Sequence, residues 1–247
     1  LTPDFIKEFA AYLSTEAGLR NGSIWANCMW LKGVVMKAHY NGLIPRNPFI
    51  QFHISPNVKE REYLTEDELK AVMTHEFADS KLAYIRDIFI FASFTALSFV
   101  DIQELTNDNI VEVNGEKWIL SKRHKTKVAF QVKLLDIPLQ IVERYRPMQK
   151  DNCIFPGLNY WSICKPLKRM IRECGITKSI SFHCSRHGFA TLALSKGMPI
   201  ESVSRVLGHT NIVTTQLYAK ITTQKLDNDL TMFGDKLSKT FNGITMS

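Results

Sequence analysis

Residues 181–218 read SFHCSRHGFATLALSKGMPIESVSRVLGHTNIVTTQLY. Helix-forming residues fill most of this stretch, and glycines stand at 197 and 208, where helices commonly end. A helical core could be built from the apolar residues alone, so the histidines, arginines and tyrosine need a second explanation. The pattern predicts three consecutive helices, at 183–196, 199–207 and 211–220, the last with Thr210 or Asn211 as its cap.

Four polar residues of this stretch have the spacing of a chemical site. His183 and Arg186 are three residues apart, which places both side chains on one face of a helix. His209 directly follows a glycine that ends the next helix, and Tyr218 lies further along the chain. Taken singly, each has a plain structural explanation, and Tyr218 would be a half-buried packing residue. Together and in this order, they favour a functional site.

This set of side chains suits the attack of a phenol oxygen on a phosphodiester. Arginine offers a planar fork of donors to two phosphate oxygens and stays charged at any working pH. Histidines donate hydrogen bonds or take a proton. A free phenol has a pKa of about 10, so an electropositive surrounding helps it to attack at neutral pH. Because fixed cations replace a metal in such a site, neither a metal nor a cofactor is predicted, and no carboxylate cluster for Mg²⁺ is evident.

Upstream of this stretch, the first part of the chain reads as helical. Helices are predicted at 2–18 and 23–40, the first with Thr2 as cap and the second capped within the Asn-Gly-Ser of residues 21–23. Three prolines and no sustained periodicity follow over 41–62, which indicates a linker.

Regular structure resumes at residue 63. Thr65 and Glu68 form a capping-box pattern that opens a helix, and 81–97 reads as a mostly apolar, buried helix. Short β-rich runs alternate around an Asn-Gly pair and around RHKTK, which predicts a small three-stranded antiparallel sheet. The fold class is therefore mainly α with one small sheet. Further helices are predicted at 138–149, 159–174 and 222–232.

The composition is that of a globular protein, with 45% hydrophobic and 22% charged residues among 247. Five cysteines without a CxxC pair argue against a disulfide scaffold or a zinc site, and they indicate a reducing compartment. No apolar run reaches the roughly 18 residues of a membrane span, and no signal peptide is visible. The net charge of +7 fits a polyanionic partner.

These motifs carry a family resemblance. The segments HCSRHGFATLALSKG, VSRVLGHTNIVTTQLYAKI and FASFTALSFVDIQELTNDNI resemble the tyrosine recombinase, or phage-type integrase, family, and more narrowly the integrases of mobile elements in Bacteroides-like bacteria. The likeness covers nearly the whole chain. It implies a site in which the tyrosine becomes linked to a DNA 3′ phosphate, and whose members here are His183, Arg186, His209 and Tyr218.

The resemblance also implies a lysine in a β-hairpin that acts as general acid to the leaving 5′ oxygen. Lys125 in SKRHKTKVAF is the residue that matches. Its neighbours Lys122 and Lys127 are expected to contact the DNA backbone or to remain solvated.

Two domains are implied as well. Residues 1–52 are expected to be a helical core-binding domain that clamps DNA, truncated at its N-terminus because the chain opens with Leu1. Residues 53–62 are the expected linker. Residues 63–240 are the expected mixed α/β catalytic domain of tyrosine recombinase type, with a C-terminal tail to 247.

One position departs from the family pattern. Where the family has an arginine in a motif like TGLRxSE, this chain reads TALSFVDIQEL, so Ser98 takes the place of a cation. The alternatives are a dead enzyme, a site served by Ser98 and water, or a replacement cation. Arg123 is the predicted replacement, because on an extended strand it would share a face with Lys125. Asp101 is expected to buttress a cation or a histidine.

A basic helix face is predicted within ICKPLKRMIRECG. In a DNA enzyme such a face would lie along phosphates or enter the major groove, and otherwise it would be a solvated surface. Its positive residues recur at i, i+3, i+4 and i+7, and they are Lys165, Lys168, Arg169 and Arg172.

The function implied by the resemblance is site-specific recombination that integrates and excises a mobile element. The alternatives are a catalytically impaired DNA-binding relative, a chromosome-dimer resolvase and a type IB topoisomerase-like enzyme. A cytoplasmic, nucleoid-associated bacterial protein without a membrane partner is expected.

Double-stranded DNA, accessory DNA-bending proteins and further protomers are the expected partners. The chain is expected to be a monomer alone and a tetramer on two DNA sites. Leu226, Leu230 and Phe233 of the tail are expected to pack on a neighbouring protomer when DNA is bound.

Overall fold

The computed structural model describes residues 1–55, 62–125, 127–149, 151–219 and 223–240. The chain divides into two compact units, residues 1–60 and 61–247, and each unit has hydrophobic clusters of its own. Within the described ranges, no helix has both the length and the apolar character needed to cross a bilayer.

The first unit is built on two helices, α1 (Pro3–Thr15) and α2 (Asn21–Tyr40). The Thr2 hydroxyl accepts a hydrogen bond from the Phe5 amide and caps α1 as predicted. α2 follows Arg20 with no side-chain cap, so the cap predicted within residues 21–23 is wrong.

Within the first unit, the chain after α2 folds back against α1 and α2. Phe49 is 2% exposed and packs with Ile6 of α1 and Val35 of α2. The Phe49 amide donates to the side-chain oxygen of Asn47, which stabilises the turn that carries the ring.

The second unit is mainly helical. Gly175, Gly197 and Gly208 follow three of its helices with φ of 73°, 88° and 61°, as predicted for helix ends. Its described helices are α3 (Glu66–Thr74), α4 (Ser80–Thr95), α5 (Phe99–Gln103), α6 (Asp136–Tyr145), α7 (Tyr160–Glu173), α8 (His183–Ser195), α9 (Ile200–Leu207), α10 (Val213–Gln216) and α11 (Thr223–Thr240).

One three-stranded antiparallel sheet, as predicted, lies between α5 and α6 in the chain. Its strands are β1 (Ile110–Val113), β2 (Glu116–Lys122) and β3 (Ala129–Lys133), in the order β1-β2-β3. The first connection is a two-residue hairpin at Asn114 and Gly115, whose φ of 53° and 79° match a turn with two left-handed residues.

α4 is the centre of the second unit, because α6, α7 and α8 all pack against it. Burial on several faces explains why the sequence of α4 is almost continuously apolar, as predicted. Its Asp87 is 3% exposed and accepts hydrogen bonds from Arg86, Arg144 and the Tyr145 hydroxyl at 2.7–2.8 Å. This carboxylate links α4 to α6, because Arg144 and Tyr145 belong to α6.

Several helices differ from the sequence-based expectation. α1 and α6 end at Thr15 and Tyr145, before their expected ends at 18 and 149. α5 was not predicted, because five residues are too few to show a period. α10 ends at Gln216, earlier than expected, because the amides of Tyr218 and Ala219 bond three residues back instead of four. α11 continues to Thr240, eight residues beyond the expected end at residue 232.

Candidate active site

Arg186 lies on the buried face of α8 and is 8% exposed. Its Nη1 donates to the carbonyl of Ala96 at 2.8 Å, and its Nη2 donates to the carbonyl of Leu207. Ala96 ends α4 with a φ of 57°, a left-handed conformation that is costly for a residue with a side chain. Arg186 is therefore held between the ends of α4 and α9.

Arg123 follows β2 and is 5% exposed. Its Nη1 donates to Asp101 at 2.7 Å, its Nη2 donates to the carbonyl of Val206 at 2.6 Å, and its guanidinium carbon lies 4.1 Å from the centroid of the Phe130 ring. Its Nε is buried and has no hydrogen-bond partner among the residues that the structure describes. The side chain is thus fixed by an ion pair, a helix end and an aromatic face.

The two guanidinium groups meet at the end of α9. Arg123 and Arg186 bind the carbonyls of Val206 and Leu207, which are consecutive in the chain and belong to the last turn of that helix. The carbonyl end of a helix is its negative pole, so this turn attracts both cations. The next residue, Gly208, brings the backbone against Arg123, because a Cβ at this position would lie 2.8 Å from the Arg123 Nε.

Ser98 and Asp101 form a capping box at the start of α5. The Ser98 hydroxyl donates to Asp101 Oδ2 at 2.7 Å, and the Asp101 amide donates back to that hydroxyl at 3.4 Å. Burial alone would raise the pKa of Asp101, but hydrogen bonds from the His124 amide, Ser98 and Arg123 hold that pKa below its usual value. Ser98 therefore orients the carboxylate that holds Arg123.

Positive charge exceeds negative charge in this cluster. Burial, reinforced by the charge of Arg123, lowers the pKa of Arg186 to about 10, against the opposing effects of Asp101 and Tyr218. Burial also lowers the pKa of Arg123, although Asp101 opposes it. Among the described residues, Asp101 is the one carboxylate recorded as paired with either guanidinium. The arrangement can therefore accept an anion, which would supply the missing negative charge.

His209 is partly buried directly after Gly208. Its Nδ1 lies 2.9 Å from the hydroxyl of Thr215, which belongs to α10. Burial, followed by the charges of Arg186, Arg123 and His183, lowers the pKa of His209 to about 4. The imidazole is consequently neutral at pH 7 while no anion is bound.

Tyr218 reaches the cluster within its own chain. It follows α10, and its amide donates to the carbonyl of Thr215 at 3.0 Å. Its ring lies 5.0 Å from the centroid of His187 in an edge-to-face contact, and His187 in turn lies 4.9 Å from His183. His187 therefore contacts both of the other rings, and the charge of Tyr218 also acts on Arg186. The structure therefore brings His183, Arg186, His209, Arg123 and Tyr218 together.

Lys125 does not share a face with Arg123, so the argument from an extended strand is wrong. β2 ends at Lys122, and Arg123 to Lys125 lie in the turn that leads to β3. The Lys127 amide donates to the carbonyl of Arg123 at 2.9 Å and closes this turn. Arg123 points inward as a result, while Lys122, Lys125 and Lys127 are exposed.

The basic face of α7 is exposed as a surface. Its opposite side is buried, through Ile163, Leu167, Met170 and Ile171. Lys165, Lys168 and Arg172 line the exposed side. Arg169 lies at its margin and is engaged by Glu173 at 2.8 Å and Asp79 at 3.4 Å, so part of its charge is already neutralised.

Two members of the site were missed in the sequence. His187 lies one turn after His183, and the i, i+4 spacing could have indicated the ring contact. Gly208 was assigned only to a helix end, because its proximity to Arg123 joins residues 85 positions apart. In the described ranges, no three His, Cys, Asp or Glu side chains converge as a metal site would require.

Comparisons with known proteins show what this chain is similar to. Residues 62–225 match the model of the phage integrase family, and residues 1–54 match the phage integrase SAM-like domain. The tyrosine recombinase XerA of Pyrococcus horikoshii is 32% identical over 177 residues, which are 66% of this chain and 58% of XerA. XerD of Listeria innocua is 26% identical over 204 residues, which are 76% of this chain and 67% of XerD.

Solved structures share the fold. The Tn1549 transposon integrase in complex with circular intermediate DNA aligns over 93% of this chain and 85% of its own, with a TM-score of 0.78 and 18% identity. A lambda integrase dimer bound to a core site aligns over 88% of this chain and 79% of its own, with a TM-score of 0.69 and 17% identity. These likenesses confirm the predicted fold class of helices around a small antiparallel sheet.

Proposed function

The chain belongs to the phage integrase family, and from that premise we propose that it is a site-specific DNA recombinase. It cuts one DNA strand through Tyr218, keeps the 3′ end as a phosphotyrosine, and rejoins that end to a different 5′ hydroxyl. The substrate is double-stranded DNA at the ends of a mobile element.

The excess of buried positive charge is the observation that supports this proposal. Arg186 and Arg123 are each at most 8% exposed, Asp101 pairs with Arg123 alone among the described contacts, and both arginines depress the pKa of His209. A site that holds such charge without full compensation is stabilised by an anion. A phosphodiester carries that charge, and its transition state carries more of it on the non-bridging oxygens.

Each residue has a role in a balanced step. The Tyr218 oxygen forms a bond to phosphorus while the bond from phosphorus to the 5′ oxygen breaks. The phenol proton passes to His183, and Lys125 gives a proton to the departing 5′ oxygen. Arg186, Arg123 and His209 bind the non-bridging oxygens. Rejoining reverses these transfers, so the phosphotyrosine conserves the energy of the broken bond.

Arg123 replaces the arginine that the family pattern has at Ser98. Its Nη1 is bound by Asp101, and the Asp101 carboxylate is oriented by the Ser98 hydroxyl. Ser98 and Asp101 therefore supply the support for a cation that comes from the hairpin instead of from α5. Ser98 has no charge to offer a phosphate, and its contribution is positional.

The finer parts of the proposal concern partners. Residues 1–52 are a core-binding domain that clamps DNA, residues 53–62 are a linker, and residues 63–240 are the catalytic domain. Lys165, Lys168, Arg172, Lys122 and Lys127 contact DNA backbone, with Arg169 at the margin. Protomers assemble as a tetramer on two DNA sites, with accessory DNA-bending proteins, in the bacterial cytoplasm at the nucleoid. The likeness to the Tn1549 transposon integrase supports a mobile-element substrate.

A covalent adduct tests the proposal. Short duplexes are enriched from a random pool by binding to the chain, nicked at successive positions, incubated with the protein and resolved on a denaturing gel. Wild type is expected to form an adduct and Tyr218→Phe none. Arg123→Ala is expected to form it about 10²-fold more slowly, since one charged donor to the transition state is lost. Lys133→Ala removes a lysine of β3 that pairs with Glu116 and has no role in the proposed step, so it is the control and should differ little.

Two other outcomes would indicate a different function for this protein. Tight duplex binding with no adduct at any nick position would mean a catalytically impaired DNA-binding relative. Relaxation of any supercoiled plasmid, irrespective of sequence, would mean a type IB topoisomerase-like enzyme. Formation of the adduct at the wild-type rate in Arg123→Ala would show that Arg123 has no role in cleavage.

A further inference from the structure

The exposed side of α7 carries a large apolar side chain as well as positive charge. Trp161 is 84% exposed, the highest fraction recorded for a large hydrophobic residue in the described part of the chain. An exposed indole of this size costs free energy in water unless a partner covers it. No catalytic step uses it.

Trp161 is aligned with the basic residues of the same helix. Trp161, Lys165, Lys168 and Arg172 are spaced i, i+4, i+7 and i+11, so they lie within one stripe along α7. The stripe is roughly 16 Å long at 1.5 Å per residue. Arg169 lies to one side of it and is occupied by Glu173 and Asp79.

The backbone that carries the indole is held in place before any partner binds. The side-chain oxygen of Asn159 accepts a hydrogen bond from the Trp161 amide at 2.9 Å and caps α7. The Tyr160 ring lies 6.0 Å from Trp161 and 5.4 Å from Phe99, which is buried at the start of α5. Trp161 is thus presented on a supported helix N-terminus, so little conformational entropy is lost when it makes a contact.

We propose that Trp161 is a specificity-determining residue that contacts the C5-methyl group of a thymine in the DNA major groove, while Lys165, Lys168 and Arg172 bind phosphates. This inference rests on the proposed function for its DNA partner. The major groove admits an α-helix, and thymine is the base that offers an apolar group there. An indole has no charge with which to bind phosphate, so its apolar surface suits a base edge.

The charge of the stripe decides between DNA and a protein partner. Three cations within one helical stripe attract a polyanion and release its counterions. Lysine is depleted in protein interfaces, so a protein partner would leave these ammonium groups poorly paired. In this arrangement the cations fix the position of the helix on the phosphates, and the aromatic residue discriminates sequence at a base.

A selection experiment on the full chain tests the inference. A pool of duplexes with a randomised centre is enriched separately by wild type, Trp161→Ala, Trp161→Phe and Lys165→Ala. Trp161→Ala is expected to lose the preference for thymine at one position and to keep the rest of the motif. Lys165→Ala is the matched control. It should bind all sequences more weakly and lower the salt slope by about 0.9, with the motif unchanged.

Removal of one methyl group makes the test sharper. Thymine is replaced by uracil at the affected position, which deletes the C5-methyl group and leaves the base pair intact. Wild type should bind about fourfold more weakly, the value for one methyl-sized group. Trp161→Ala should show no change between the two duplexes. Because Trp161 is almost fully exposed, circular dichroism should show Trp161→Ala and Trp161→Phe folded as wild type.

Several results would overturn the inference. An unchanged motif in Trp161→Ala, or an equal response to uracil in both proteins, would mean that Trp161 reads no methyl group. A tryptophan fluorescence change that follows protein concentration without DNA in wild type, and is absent in Trp161→Ala, would assign the stripe to a protein interface. The proposed function fails separately, when duplexes are bound with the expected motif but no covalent adduct forms.

Discussion

Because Gly208 has no side chain, the backbone at the end of α9 can pack directly against Arg123. Its φ of 61° lies in the left-handed region that favours glycine, and its Cα faces the Arg123 side chain. Any Cβ would meet Arg123 Nε at 2.8 Å and Arg123 Cγ at 3.0 Å. Both contacts involve the inner part of a side chain that is fixed at Asp101 and Val206, so the guanidinium has no easy way to move aside.

Gly208→Ala is therefore expected to destabilise the protein by about 3 kcal/mol, from backbone strain plus overpacking. Gly197→Ala is the matched control, since Gly197 also has a positive φ but no atom within 4 Å of its Cβ position. That variant should lose only about 1 kcal/mol. Urea unfolding measures both, and equal losses would show that Arg123 yields freely to the new methyl group.

His209 makes the stability of the protein depend on pH. Its pKa is about 4 in the folded chain and about 6.5 when unfolded, so only the unfolded chain binds this proton between those values. The contribution is fully present above about 6.5 and is lost as the pH falls towards 4. His209→Gln keeps a hydrogen-bonding side chain and does not titrate.

From pH 7 to pH 4, wild type should lose roughly 2 kcal/mol more unfolding free energy than His209→Gln, because solvent screens part of the shift of a half-buried ring. Urea titrations at both pH values measure the difference, and the other titrating groups cancel between the two proteins. Parallel pH dependence of wild type and variant would contradict the positive surroundings assigned to His209.

At the scale of elements, α5 connects helix capping to the chemical site. Its capping box uses Ser98 and Asp101, and the same Asp101 carboxylate holds Arg123. α3 has an equivalent box, from Thr65 and Glu68, in which the carboxylate binds Lys178 instead. The two caps therefore provide a comparison between a helix start that supports the site and one that does not.

Ser98→Ala and Thr65→Ala should each cost about 1 kcal/mol of stability, because each removes a helix cap. Only Ser98→Ala should also slow formation of the covalent adduct, by about tenfold, since Asp101 loses the hydroxyl that orients it. Single-turnover cleavage and thermal unfolding separate the two effects. Equal cleavage rates in both variants would limit Ser98 to its structural role.

At the scale of the whole molecule, α11 has an apolar stripe that the described part of the chain leaves exposed. Its stripe members are spaced i, i+4, i+7 and i+11 and are 40–60% exposed. They are Leu226, Leu230, Phe233 and Leu237. Such a stripe fits the proposal that a neighbouring protomer covers it on DNA.

Replacing Leu230 and Phe233 by serine should leave thermal stability and cleavage of a single DNA site unchanged, and should prevent the assembly that holds two duplexes. Met232→Ser is the control, because Met232 is 59% exposed on the opposite side of the same helix. Sedimentation of protein with labelled duplexes measures the assembly. A double variant that still joins two duplexes would show that the stripe has another purpose.

The sequence by itself determined the elements whose signals are local. The cap at Thr65, the glycines that end α7, α8 and α9, the Asn-Gly hairpin and the apolar α4 all depend on neighbours within one turn or one strand. The family motifs also named His183, Arg186, His209 and Tyr218, which the fold brings close together. Such signals can be read in one dimension because the interactions that create them span only a few residues.

Only the tertiary structure decided how those residues are held. Arg123 turns inward while Lys125 stays exposed, since the chain leaves β2 at Lys122 and Asp101, Val206 and Phe130 enclose the guanidinium. The closeness of Gly208 to Arg123 joins distant parts of the chain in the same way. The pKa of a buried charged group depends on which distant groups desolvate it and pair with it. Those groups come together only after the helices have packed.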